Sequence, residues 1–167
     1  MPGYLYVLFV LLVYCPDLFS GEPSKSRNLI YAEILGAGGY GSVNYEKLVY
    51  RKGELSMGMR VGAGTYNVRD FTGNINPDLI FPFSINTYIY APHSIEVGLG
   101  NTFSSIVQVS QANWQPVRVN RLSANFAVGY RYAKKEGGFV FRLGYTPIYE
   151  FYKRFVHWGG VSFGYAF

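Results

Sequence analysis

Cysteine, histidine, charge and long apolar runs are all scarce in this 167-residue sequence. Its one cysteine, Cys15, excludes an internal disulfide and a thiolate metal centre. The residues before it, Leu12-Val13-Tyr14, end in a bulky tyrosine, unlike a lipidation motif. The two histidines, His93 and His157, are expected in a turn and near the opposite rim, so no shared metal and no cofactor are expected. Charged residues make up 15 %, against roughly 25 % in an ordinary soluble domain. The net charge of +5 is scattered, with short clusters at Arg51-Lys52, Lys134-Lys135 and Lys153-Arg154. That distribution offers no basic stripe for a nucleic acid.

The longest apolar run, Tyr4 to Tyr14 (YLYVLFVLLVY), is too short for a spanning helix, which needs about 20 residues. Its position suits the apolar core of a secretion signal. We expect a signal peptide over residues 1–20, cut near Ser20-Gly21, and a polar periplasmic lead-in over 21–28. The absence of Lys or Arg ahead of the run departs from the usual signal pattern. Cleavage would remove Asp17 and leave a charge of +6, from 15 basic and 9 acidic residues.

What is plentiful is aromatic and small. Aromatics are 19 %, with 16 Tyr and 13 Phe, beside 20 Gly. That composition suits either an aromatic-rich soluble β protein or a membrane barrel with tyrosine girdles. Beyond residue 28 the dominant period is two. Phe155, His157, Gly159, Val161, Phe163, Tyr165 and Phe167 alternate with Val156, Trp158, Gly160, Ser162, Gly164 and Ala166. Leu122, Ala124, Phe126, Val128 and Tyr130 alternate with Ser123, Asn125, Ala127, Gly129 and Arg131. Successive strand side chains point to opposite faces, so each strand has a large apolar side and a small side. A soluble sandwich would carry a charged outer face. Here the second face is Gly, Ser, Ala and Thr with about one charge per strand, which suits the crowded inside of a narrow barrel.

The expected fold is all-β: a single antiparallel eight-stranded transmembrane β-barrel over residues 29–167. Strands are expected at 28–38, 41–50, 54–67, 79–91, 93–104, 120–133, 138–149 and 155–167. Short turns at one end and longer loops at the other put both termini in the periplasm. Pro82 and Pro147 fall within strands and predict bulges or strand ends.

Several stretches together resemble the small eight-stranded outer-membrane barrel proteins of Bacteroidota-type bacteria. They are Ala32 to Gly36, Asn44-Tyr45-Glu46, Ile95 to Gly100, Gly129 to Tyr132, Phe139 to Pro147 and Trp158 to Tyr165. The resemblance covers most of residues 29–167. It implies a monomer in outer-membrane lipid, with no general activity. The closing Phe163, Tyr165 and Phe167 resemble the signal read by the barrel assembly machinery.

Chemistry-bearing groups are few. The Gly-rich stretch Gly36 to Gly41 (GAGGYG) lacks the rest of a phosphate-loop fingerprint. His157 with a serine or Glu150 is the only set near the rim that an enzyme could use. On the inward parity lie Glu33, Glu46 and Glu96, and Arg60, Arg131 and Arg142, with Tyr88 beside them. Counting from the turns places all six charges toward the periplasmic half. Buried charge is costly unless paired, so a compensated interior network is expected. Trp114, in the longest expected loop (Ser105 to Val119), would cover the mouth or contact an extracellular partner.

The reading is a non-enzymatic outer-membrane barrel with a plugged polar lumen. Its role would be structural, adhesive or in envelope interaction. The alternatives are a lipid-modifying enzyme or narrow transporter on the same barrel. A secreted lipocalin-like barrel fails if the apolar face points outward.

Overall fold

The two-residue period resolves into strands throughout. The computed structural model describes residues 28–110, 114–150 and 154–167, so the expected signal peptide and nearly all of the lead-in lie outside it. The strands are β1 Asn28–Leu35, β2 Gly41–Lys52, β3 Leu55–Thr65, β4 Leu79–Ile89 and β5 His93–Val109. They continue with β6 Pro116–Ala133, β7 Gly138–Tyr145, β8 Ile148–Glu150, β9 Arg154–Val156 and β10 Gly159–Ala166. All pairings are antiparallel, and those of β5 with β6 and of β1 with β10 close the sheet on itself.

The ten strands form eight staves. β7 and β8 make one stave, interrupted at Thr146-Pro147, and β9 and β10 make another, interrupted at His157-Trp158. Register passes through both gaps unshifted, with Tyr145 facing Gly159 and Ile148 facing Val156. Phe126 N–H still donates to the Pro147 carbonyl at 3.1 Å, and Thr146 N–H to that of Trp158 at 2.8 Å. Pro147 therefore ends a strand without a bulge, since a proline removes only its own donor. Pro82, against expectation, neither ends nor bulges its strand and lies within β4. Its pairing with Thr102 is intact, and the ladder to β3 skips Gly62 and Ala63, then resumes at Gly64 opposite Ile80 in the same register. A register shift does occur in β2, between Leu48 and Tyr50, at a site without proline.

Three expectations need correction. Strand β1 ends at Leu35, because Gly36 and Gly39 turn the chain at φ +88° and +91°. His93 opens β5 and is no turn residue. The stretch Ser105 to Val119 is mostly strand. β5 runs to Val109 and β6 starts at Pro116, with Val107 opposite Arg118 and Ile106 opposite Val119. Its amides and serines suggested a loop, but its β-branched residues alternate and pair beyond the barrel wall.

The apolar face points outward. Ile34, Val43, Val61, Leu99, Leu122, Phe139 and Leu143 are each more than half exposed, whereas Asn44, Glu46, Arg60, Asn86 and Ser162 are buried. This polarity is the reverse of a soluble barrel's and removes the lipocalin reading. Leu29, Tyr31, Val140 and Ala166 form a small apolar cluster inside. The connections between β2 and β3, β4 and β5, and β6 and β7 lie at the end that holds both termini. The other four form the opposite end, called the loop end below.

Candidate functional site

The lumen is the most organised polar region of the molecule. Three acids meet three bases one to one: Glu33 with Arg60, Glu46 with Arg131 and Glu96 with Arg142. Each partner comes from a different strand. The Glu46–Arg131 contact is 2.7 Å. Arg142 holds Glu96 through two nitrogens, its Nε at 2.9 Å from Oε2 and its Nη2 on Oε1. Such two-point pairing fixes orientation as well as charge.

Neutral groups complete the network. Arg60 Nε donates to Asn44 Oδ1 at 2.9 Å, Asn44 Nδ2 donates to Ser42 Oγ at 2.9 Å, and the Ser42 and Ser162 hydroxyls donate to Glu33. Asn86 Nδ2 donates to Glu46 Oε2 at 3.1 Å. Two tyrosines lie against the guanidiniums. Arg131 sits over the Tyr88 ring at 4.0 Å, while Arg142 and Arg60 flank the Tyr31 ring at 4.6 and 5.5 Å. Ring faces attract cations most where water is excluded. Tyr31, Asn44 and Asn86 escaped the sequence reading, although they share the parity of the charged residues.

The height expected for Glu33 is corrected. Its carboxyl lies beneath Gly36, where an added Cβ would stand 2.8 Å from the Glu33 carboxyl carbon. β1 has only eight residues, so a residue five steps from its base already reaches the loop end. A small recess lies beside Glu33, Glu96, Arg142, Thr146 and Ser162 over Gly129, Gly144 and Gly160.

The loop end is built, not merely connected. Asp70 Oδ1 accepts from the Thr72 amide at 2.9 Å, the Thr72 hydroxyl at 2.6 Å and the Asn74 amide at 3.2 Å, and Oδ2 accepts from Asn76 Nδ2. The Thr72 hydroxyl and the Asn76 and Asn74 donors hold the Asp70 carboxyl below its usual range. Arg118, on the β5–β6 hairpin, donates to Asn76 Oδ1 and the Pro77 carbonyl, and Asp78 Oδ1 accepts from Val107 N–H at 2.8 Å. Hairpin and loop are thus lashed together.

Trp114 stands 79 % exposed near the hairpin tip. The aromatic cluster at the mouth is instead Tyr40, Tyr66 and Trp158, with ring centroids 5.6 to 6.0 Å apart. His93 lies 2.6 Å from the Tyr130 hydroxyl, and His157 meets the hydroxyl of Tyr145, both on the outward face. Phe163, Tyr165 and Phe167 also point outward, and Phe167 exchanges both backbone hydrogen bonds with Asn28 at 2.8 and 3.0 Å. Among the described residues no group of three His, Cys, Asp or Glu is placed to hold a metal ion.

No family model matches the sequence, and no curated protein matches it. Solved structures do. The N-terminal β-barrel domain of Pseudomonas aeruginosa OprF superposes with a TM-score of 0.58 at 12 % identity, over 86 % of this chain and 98 % of that one. Ail of Yersinia pestis, in complex with the heparin analogue sucrose octasulfate, gives 0.56 at 11 % identity, over 84 % and 95 %. Ail in a phospholipid nanodisc gives 0.51 at 12 % identity, over 85 % and 99 %. The fold is that of the small eight-stranded outer-membrane barrels.

Proposed function

We propose that this chain is an integral outer-membrane barrel, non-enzymatic, with a plugged polar lumen, that acts through its loop end in adhesion, envelope interaction or envelope structure. The observation that carries this is the polarity of the wall: large apolar residues outward, paired charges inward. An outward apolar surface of this extent is stable only in lipid. The interior supports plugging, because every charge of the network has an opposite partner across the lumen. The hydrogen bonds that tie the β3–β4 loop to the β5–β6 hairpin, through Arg118 and Asp78, support a contact surface at this end, while the Glu150 side chain of the expected rim set lies outside the described residues.

Assembly through the barrel machinery, read from Phe163, Tyr165 and Phe167, belongs to the same proposal. So does the likeness to Bacteroidota-type barrels, which rests on the sequence stretches alone. The test is cell fractionation with electrophoresis of unboiled and boiled samples. The chain should partition with the outer membrane, require detergent, and shift mobility on boiling as the closed barrel opens. Recovery as a soluble monomer without detergent would end this reading.

A further inference from the structure

The lumen holds a guanidinium nitrogen that the ion pairs do not use. Arg142 gives Nε and Nη2 to Glu96. Its Nη1 is buried and has no hydrogen-bond partner among the described residues, in a residue only 7 % exposed. The two-point grip on Glu96 and the Tyr31 ring, 4.6 Å from the guanidinium carbon, fix the direction in which Nη1 points. A buried donor left unmet costs more than an ordinary hydrogen bond gains. Arg142 lines the small recess beside Glu33, Thr146 and Ser162.

The recess owes its space to glycine. Gly129, Gly144 and Gly160 stand side by side on β6, β7 and β10 and line it. Close packing accounts for two of them. A Cβ at Gly129 would strike the Leu143 carbonyl oxygen at 2.4 Å, and one at Gly160 would press on Gly36 Cα at 3.2 Å. At Gly144 the nearest atom is the Val128 carbonyl oxygen at 3.3 Å, and the next is 3.6 Å away. Neither a clash nor a left-handed backbone demands glycine there. What a side chain at Gly144 would take is the recess itself.

Charge and size decide the occupant. Glu33 and Glu96 flank the recess, each balanced by its own arginine. An anion would meet two carboxylates, and a cation would meet an N–H donor. The occupant must therefore be neutral, accept from Arg142 and donate to an oxygen. Glu33 offers that oxygen. Its contacts with the Ser42 and Ser162 hydroxyls are long, at 3.5 and 3.4 Å, and a carboxylate has about four lone-pair sites to fill. The Thr146 hydroxyl belongs to the same lining. A water molecule meets these demands, since it needs only two to four polar partners and little room.

We propose that the recess between Glu33, Arg142 and Thr146 is the binding site of a single ordered water. It accepts from Arg142 Nη1 and donates to Glu33, so the Glu33–Arg60 and Glu96–Arg142 pairs become one network. This rests on the plugged-lumen reading and names what completes the plug.

The test uses the full barrel in detergent. Crystals of the wild type, grown in sodium bromide, should show water density within hydrogen-bond reach of Arg142 Nη1, without anomalous bromide signal. Magnetic relaxation dispersion should count one fewer long-lived water in Gly144→Ala than in the wild type. Gly144→Ala should also lower the folding equilibrium constant about tenfold, the order of one unmet buried donor. Gly144→Ser, whose hydroxyl takes the place of the water, should lose less despite its greater size. A site without density at Nη1, bromide bound there, equal water counts, or a serine variant less stable than the alanine one overturns the proposal. If neither variant folds, the wild-type crystals decide alone. A closed barrel without this water overturns this inference only; a steady aqueous conductance overturns the plugged-lumen reading beneath it.

Discussion

Six full charges inside a tube eight staves round persist because each carboxylate has a guanidinium, and Glu33 and Glu46 gain hydroxyl or amide donors as well. Glu96→Ala would leave Arg142 buried without its anion, a loss of about 3–5 kcal/mol. Removing both, as Glu96→Gln with Arg142→Met, should cost less than the sum of the two single changes, because they share one interaction. Urea unfolding in lipid vesicles reads this, and strict additivity would deny the pairing. Asp70 acts on the surface. Its carboxylate, favoured by the Thr72 hydroxyl and then by Asn76 and Asn74, orders the loop fully above the ordinary carboxylate pKa. That order is lost as pH falls through the lowered value of Asp70 in the folded loop. Asp70→Ala should speed tryptic cleavage after Arg69 at neutral pH and leave the barrel's melting unchanged. Equal cleavage in both proteins would mean the loop is held by Arg118 alone.

At the scale of the strand, small residues decide where staves approach. Glu96, Gly129, Gly144 and Gly160 stand opposite one another in sequence across β5, β6, β7 and β10. A Cβ on Gly129 would meet the Leu143 carbonyl oxygen at 2.4 Å and Gly144 Cα at 2.6 Å, both backbone atoms. Gly129→Ala should therefore destabilise by about 1–3 kcal/mol, the usual cost of overpacking. Gly41→Ala, with nothing within 4 Å, should be tolerated. Similar refolding midpoints for the two would show that the wall yields at Gly129. The last strand makes a separate prediction. Deleting Phe167 should leave chain in the periplasm of cells while refolding in vitro stays near normal, since only its exchange with Asn28 is lost. Normal insertion would remove its role as an assembly signal. Alternation made the strands legible, yet β5 and β6 were cut short because amides and serines read as loop. The bulge in β2 left no mark, for no proline or glycine signals it.

For the whole molecule, the polarity of the wall fixes both solvent and contents. Eight staves leave space for side chains and little else. Reconstituted in a planar bilayer, the monomer should pass no large steady current. A stable open conductance would displace the plugged-barrel reading and raise the transporter alternative. Removing one ion pair by Glu46→Gln with Arg131→Gln should leave the current low, because Tyr88 and Asn86 still fill that level of the lumen.

The sequence by itself determined the class of fold, the approximate strands and which residues share the inner face, because a period of two is a local property of the backbone. It also determined that the interior acids and bases balance in number. Only the tertiary structure decided which acid meets which base, and that Tyr40, Tyr66 and Trp158 gather at the mouth instead of Trp114. Those facts depend on closure and on unequal stave lengths. Closure brings strands far apart in the chain across a common lumen: Glu46 and Arg131 are 85 positions apart along the chain, and no local pattern encodes their 2.7 Å contact.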